Sequence, residues 1–340
     1  MIKQAAVGLT SRSEADPFLK NGFLPLITSN MFSVVELENI ELFLKNRIQV
    51  SSPRGMKCFG NDNIWNSISI SEFEDSLNPT NSFIAEWFMD NKSEKNRLGS
   101  NNILIDCANG NNPKLHELIN LAKLKYGQKL KIMSGNVSSV EAFEELAKSG
   151  CDYIRVGVGG SDSCNTFKNT FVGQTNLKRL IQECFNLRES STDENILKVK
   201  IVADGISSYM NYCVNKYGVL DNGYAVLNEL LYYGADLIMI GRLFAQCEES
   251  SGEKIMVDGK EKVKYRGMST KESQDRYKKG VTKHSEGNTS VIDVKWSLSD
   301  WLHGSEKNPD YLPGYINCLK SAMSYCGVKT IEEFIGLGNF

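Results

Sequence analysis

KIMSGNVSSVEAFEELAKSGCDYIRVGVGG, residues 131–160, reads as strand, helix, strand, and that order decides the fold. KIMSGNV (131–137) and YIRVGVGG (153–160) are short apolar, β-branched runs closed by polar or glycine residues. Between them SVEAFEELAKSG (139–150) carries apolar residues at i, i+3 and i+4 and ends on glycine, as a helix C-terminus should. Strands joined by a crossover helix pair in parallel.

The same alternation recurs outward from this unit. Strand-like runs fall at LPLITSN (24–30), RIQVSS (47–52), SFIAEWF (82–88), NILIDCANG (102–110), VKIVADG (199–205) and LIMIGR (237–242). Helical patterns such as PKLHELINLAKLKYG and GYAVLNELLYYG separate most of them. Eight such strands predict an α/β fold, a (β/α)8 TIM barrel, with an open doubly wound sheet as the alternative. The open sheet stays because only MDNKSEKNRLGS separates the third run from the fourth. Residues 1–340 are expected to form a single domain, with the barrel over about 24–250 plus 313–335. A hairpin and flap are expected over about 251–312, where IMVDGKEKVKYRG (255–267) carries an Asp-Gly turn.

Bulk properties narrow the function. The chain has 340 residues, 41% hydrophobic and 24% charged, with a formal net charge of -2, so no basic footprint suggests a nucleic acid or an anionic membrane. No apolar run approaches the ~20 residues that span a bilayer, and the first residues do not pattern as a signal peptide. Nine Cys without a CxxC pair and only three His argue against a zinc site or a disulfide framework. A cytoplasmic, reducing location is the expectation, with no nucleic-acid and no membrane partner.

In a barrel, functional residues collect where strands end, and Asn30, Ser52, Asp106, Asn109, Asn136, Asp204 and Gly241 close these runs. The most specific stretch is VGVGGSDSCNTF (156–167), a glycine-rich loop carrying Cys164 and Thr166. Such a loop lets backbone approach a ligand, and strand-end dipoles favour a thiolate. On composition alone, a nucleophile and an inert thiol are equal readings of Cys164, because sequence shows no base partner.

GNVSSVEAFEELAKSGCDYIRVGVGGSDSCNTF resembles the cysteine-loop region of IMP dehydrogenases and GMP reductases. LPLITSNMFSV, IDCANGNN, IVADG, ADLIMIGRLFAQCEESSGE, KYRGMST, HSEGNTS and LKSAMSYCGVKTIEEF continue that resemblance in order. The resemblance implies a purine nucleotide oxidoreductase, in which Cys164 adds to C2 of the purine and a nicotinamide exchanges hydride there. It implies catalytic roles for Cys164, Thr166 and Glu286. Asp106, Asn109, Asn136 and Gly157 would face the cofactor. The substrate would meet Asp162, Ser163, Asp204, Gly205, Gly241, Arg242, Tyr265, Met268, Ser269, Lys283 and Ser285. A K+ ion held by loop carbonyls near Gly159, Ser161 and Cys164, and a homotetramer, are further implications.

Four features resemble the reductase more than the dehydrogenase: no room for an inserted regulatory domain, a short Met268–Glu286 segment, the ANG and GMS spellings, and HSEG at 284–287. These imply reduction of GMP or a relative with NADPH, NADH being the alternative because Asn288 stands where a Lys is common. Arg276 and Tyr277 follow the dehydrogenase flap instead, so IMP oxidation with NAD stays open. The chain departs from the family pattern at Asp162, at Ile206, at Arg242, in SSPRG, where Arg54 stands in for the usual basic residue, and in a longer 207–223 connection. Asp162 and Arg242 could pair across the phosphate pocket. These departures also motivate a third reading, a non-catalytic purine-binding barrel.

Overall fold

In the computed structural model, which describes residues 1–56, 58, 61–77, 101–107, 109–161, 164–173, 176–278 and 287–340, eight parallel strands close on themselves. They are β1 (Leu26–Thr28), β2 (Val50–Ser52), β3 (Ile64–Ile68), β4 (Asn102–Ile105), β5 (Lys131–Val137), β6 (Tyr153–Val156), β7 (Lys200–Ala203) and β8 (Leu237–Ile240). The hydrogen-bonded order runs β1, β8, β7, β6, β5, β4, β3, β2. A parallel bridge between Ile27 and Gln49 joins the two remaining edges. Ser51 secures that seam, its N–H reaching Thr28 Oγ1 at 2.9 Å and its hydroxyl donating to Thr28 O at 2.6 Å. The closed barrel displaces the open-sheet alternative.

Helices lie outside the strands: α1 (Ile40–Lys45), α2 (Ile70–Leu77), α3 (Pro113–Tyr126), α4 (Val140–Lys148), α5 (Thr166–Thr170), α6 (Leu177–Ser190), α7 (Glu194–Lys198), α8 (Ser207–Tyr217), α9 (Tyr224–Tyr232) and α10 (Arg242–Ala245). Their starts follow local chemistry. Asn112 caps α3 through Lys114 N with Pro113 in the first turn, and Ser139 caps α4 through Ala142 N. The apolar face of α4 buries Ala142, Phe143, Leu146 and Ala147 against the sheet.

The third strand differs from the reading of 82–88, a run that lies outside the described residues. The place between β2 and β4 belongs to 64–68, IWNSI, which pairs with both neighbours. Two polar residues interrupt the apolar character of this strand, yet Asn66 is 2% exposed and fully engaged. Its Oδ1 accepts from Cys58 N and its Nδ2 donates to Cys58 O, both at 2.9 Å, so the amide imitates a strand partner. The stretch 207–223, expected only as a long connection, contains α8.

A small antiparallel sheet stands beside the barrel: β9 (Lys254–Val257), β10 (Lys260–Arg266) and β11 (Thr289–Asp293). The Asp-Gly turn forms as expected, with Asp258 at φ 51 and Gly259 at φ 74, the left-handed pair a two-residue hairpin needs. After β8 the chain also forms α11 (Lys271–Lys278), α12 (Leu298–His303), α13 (Tyr315–Tyr325) and α14 (Ile331–Phe334). Among the described residues no helix is long and apolar enough to cross a membrane.

The barrel interior is layered. Ile27, Trp65, Leu104, Met133, Val202, Leu237 and Met239 form one buried cluster inside, with Tyr153 edge-on to Trp65 at 4.8 Å. Side chains in a strand alternate faces, so the next inward layer lies two residues further along. That layer reads Ser29, Ser67, Asp106, Gly135, Arg155, Asp204 and Gly241. Apolar packing therefore gives way to charge, hydroxyl and glycine at the C-terminal mouth.

Candidate active site

A cavity of about 510 Å³ opens at this mouth, within the ~300–1,000 Å³ usual for small-molecule sites. Its lining gathers Asp106, Asn136, Gly157, Gly159, Ser161, Cys164, Thr166, Asp204, Gly205, Gly241, Arg242, Tyr265, Met268 and Ser269 from six separate stretches of chain. Asn109 does not join them: it is exposed, and its side chain accepts from Asn111 N within its own loop. Asp162, Ser163, Lys283, Ser285 and Glu286 lie outside the described residues, and with them the suggested Asp162–Arg242 pair.

Cys164 is half-buried on the loop between β6 and α5, its N–H held by Ser161 O at 3.0 Å. Its Sγ donates to the Thr166 hydroxyl at 3.4 Å, a weak hydrogen bond that orients the thiol. Cys164 also forms an antiparallel bridge with Gly287, whose own N–H donates to Ser269 O at 3.1 Å. A Cβ at position 287 would sit 2.5 Å from Thr270 N and 2.7 Å from Ser269 Oγ, so only glycine permits this three-way junction. The junction brings Cys164, the 267–269 turn and the segment after residue 286 together.

The opposite wall is ionic. Asp106 meets Arg54 Nε at 3.0 Å and Arg155 Nη2 at 3.1 Å, and Arg155 is 3% exposed. Burial alone would push the Asp106 carboxyl up. The Arg155 and Arg54 guanidinium groups, with hydrogen bonds from Arg155 and Asn30, outweigh it and hold the group below its ordinary value. Its neighbour Cys107 behaves oppositely: burial pushes that thiol up to about 11, leaving it inert at neutral pH. Arg155 escaped the sequence reading, although a cation inside the buried run YIRV signals a partner across the barrel.

Between these walls, Asn136 Nδ2 donates to Asp204 Oδ2 at 2.7 Å and to Gly157 O at 2.8 Å. Asp204 Oδ1 accepts from Gly205 N at 2.7 Å. Gly157 has φ 132, and a Cβ there would meet Asp204 O at 2.1 Å, so backbone lies directly on backbone. Tyr265, 2% exposed, reaches from β10 over the end of β8 and donates to Met31 Sδ at 3.7 Å. Arg276, the residue reminiscent of a flap, pairs with Glu36 at 2.6 Å and covers the Phe32 ring at 4.5 Å. No group of three or more His, Cys, Asp or Glu that could hold a metal occurs among the described residues.

Comparison with known proteins agrees with this geometry. The family model for the IMP dehydrogenase / GMP reductase domain matches residues 89–340. An inosine-5'-monophosphate dehydrogenase of Chlorobaculum parvum is 29% identical over 243 residues, 68% of this chain and 43% of that protein. GMP reductases of Aliivibrio fischeri and Vibrio campbellii are 30% and 31% identical over 233 residues, 68% of this chain and 58% of theirs. The chain thus spans about half the length of the relatives it matches. Strand order, cysteine loop and family match agree: the chain belongs to the IMP dehydrogenase / GMP reductase domain family.

Proposed function

We propose that the chain is a purine nucleotide oxidoreductase that reductively deaminates a guanine nucleotide, GMP or a relative, through a covalent adduct on Cys164. The observation that carries this reading is the Cys164–Gly287–Ser269 junction, with Thr166 on the sulfur and an open cavity before it. The thiolate of Cys164 would add to C2 of the purine, and the C2–N bond would break as the amino group leaves with a proton as ammonia. Thr166 can relay a proton, its oxygen taking the thiol proton as its own hydroxyl proton moves to the departing amine. Glu286, one position before Gly287, is its proposed partner.

The donor set suits a nicotinamide nucleotide. Asp106, kept ionised by its arginines, is an acceptor for ribose hydroxyls, while Asn136 and the Gly157 backbone offer amide chemistry for a carboxamide. NADPH, when bound there, would supply the hydride that converts the adduct to the inosine nucleotide as the C–S bond breaks and the thiolate returns. At the other end Asp204, Gly205, Gly241, Arg242 and Tyr265 would hold ribose and phosphate, with Met268 and Ser269 against the base. Asp162, Ser163, Lys283 and Ser285 belong to the same proposed substrate wall. A K+ ion on the Gly159 and Ser161 carbonyls and a homotetramer complete the proposal, testable by potassium dependence of the rate and by light scattering.

The test is loss of NADPH absorbance on adding GMP or dGMP, with equimolar ammonia, abolished in Cys164→Ala. No oxidation with any guanine nucleotide, or oxidation without ammonia, would sink it. A dehydrogenase reading has one observation in its favour, since relatives of both names match at 29–31% identity. It requires NADH formation from IMP and NAD+ and a loss of rate in Arg276→Ala. The anchoring of Arg276 to Glu36 and Phe32 favours a structural role for that residue instead.

A further inference from the structure

Helix α8 (Ser207–Tyr217) lies within the 207–223 stretch read from the sequence as a longer connection, and it touches the cavity. Ile206, Ser207 and Met210 line the wall beside Asp204 and Gly205. From there the Asp204–Ser208 segment lies along the cysteine loop, main chain on main chain. A Cβ on Gly157 would strike Asp204 O, one on Gly205 would meet the Gly160 backbone at 3.3–3.4 Å, and Ser208 N–H donates to Gly160 O at 2.9 Å. Gly160 is four positions before Cys164 (164 − 160).

The same turn is tied down on its outer side. The Tyr209 hydroxyl donates to Glu229 Oε2 on α9 at 2.6 Å, and Glu229 also faces Lys178 of α6 at 3.5 Å. Burial, then the hydrogen bond to Glu229, push the Tyr209 hydroxyl far above its ordinary value, so it stays a donor at any working pH. Met210 and Cys213, each 3% exposed, pack the inner face, while Tyr212 is 46% exposed on the outer one.

We propose that α8 is a brace that sets the position of the Cys164 loop, with Tyr209 as the positioning residue that holds the Ser208 N–H on Gly160. The inference rests on the reading of Cys164 as the nucleophile. A nucleophile displaced by about 1 Å loses on the order of 10²-fold in rate, so a single loop-to-helix hydrogen bond is enough to matter.

Site-resolved alkylation of the full chain by iodoacetamide tests it, alongside steady-state kinetics. Ser208→Pro removes the N–H in a first turn, where helices tolerate proline, and Tyr209→Phe removes the tether by a milder route. In both, Cys164 should label roughly threefold faster or more as its loop loosens, while buried Cys184 stays unlabelled. In both, kcat should fall roughly tenfold with KM for GMP within about twofold. Leu220→Ala, 48% exposed and beyond the helix, should match the parent protein in both measurements. Parent-like labelling and kcat in Tyr209→Phe and in a folded Ser208→Pro would overturn the brace. If the parent turns over no guanine nucleotide yet labelling still responds to Ser208→Pro, the proposed activity fails and the brace stands.

Discussion

Asp106 sits between Arg54 and Arg155, and its replacement isolates a deeply buried cation. Arg155 is 3% exposed, and removing one partner of a buried pair costs on the order of 3–5 kcal/mol. Asp106→Asn should therefore lower stability by about 3 kcal/mol at pH 7, read as a shift of the urea midpoint. Because the folded carboxyl titrates below its unfolded value, its stabilisation is complete above the unfolded pKa of roughly 4 and fades only as pH falls toward the lower folded value. The gap between parent and Asp106→Asn should stay constant from pH 8 to about pH 5 and close under stronger acid; a gap closing near pH 6 would contradict this. Asp106 was legible as a polar strand end, whereas residue types left Cys164 an even choice that only the resemblance of its loop tipped. The cation in YIRV signals a partner but not which one, since Asp106 is 49 positions away and one strand lies between them.

At the scale of elements, two of the barrel's strands begin with the same clasp. Asp152 takes the N–H of Ile132 at 2.7 Å, and Asp236 takes that of Ile201 at 2.8 Å, each on the strand next door. Lys131 and Lys200, at the starts of those neighbouring strands, reach the second oxygens. Lys123 and Arg188 close the two clasps from helices α3 and α6. Arg188 is held above its ordinary value: burial would lower it, and the Asp236 charge more than reverses that. Asp236→Asn should cost ~3–5 kcal/mol by chemical denaturation, whereas breaking the exposed Lys198–Glu194 pair should leave the midpoint unmoved. The GCDY and GADL spellings make these strand starts legible. The third strand was not, because 82–88 is the more apolar run while IWNSI hides its polar residues in bonds to Cys58 and in the barrel interior.

On the scale of the whole molecule, one ring of apolar side chains fills the barrel and the polar ring above it becomes the site. Trp65 is the largest member of the filling ring, 2% exposed, with its indole N–H on Gln49 Oε1 at 3.2 Å. Trp65→Ala should cost about 3–5 kcal/mol and loosen the floor under Asp106 and Arg155, seen as a lower melting temperature with raised KM. Repeated alternation of strand and helix made the barrel readable from residue types, since burial on both faces imposes its own composition. The chemistry above it depends on which ends meet, and that is a property of closure.

The bridge between Cys164 and Gly287 has a consequence for the chain while it is being made. Those positions are 123 residues apart (287 − 164), and β1 pairs with β8 across 212 (238 − 26). At roughly 5–20 residues per second, a ribosome places Cys164 roughly 6–25 s ahead of the strand that flanks it. During that interval Cys164 lacks its bridge partner Gly287. The final third of the polypeptide thus supplies a wall for a cysteine made well before it.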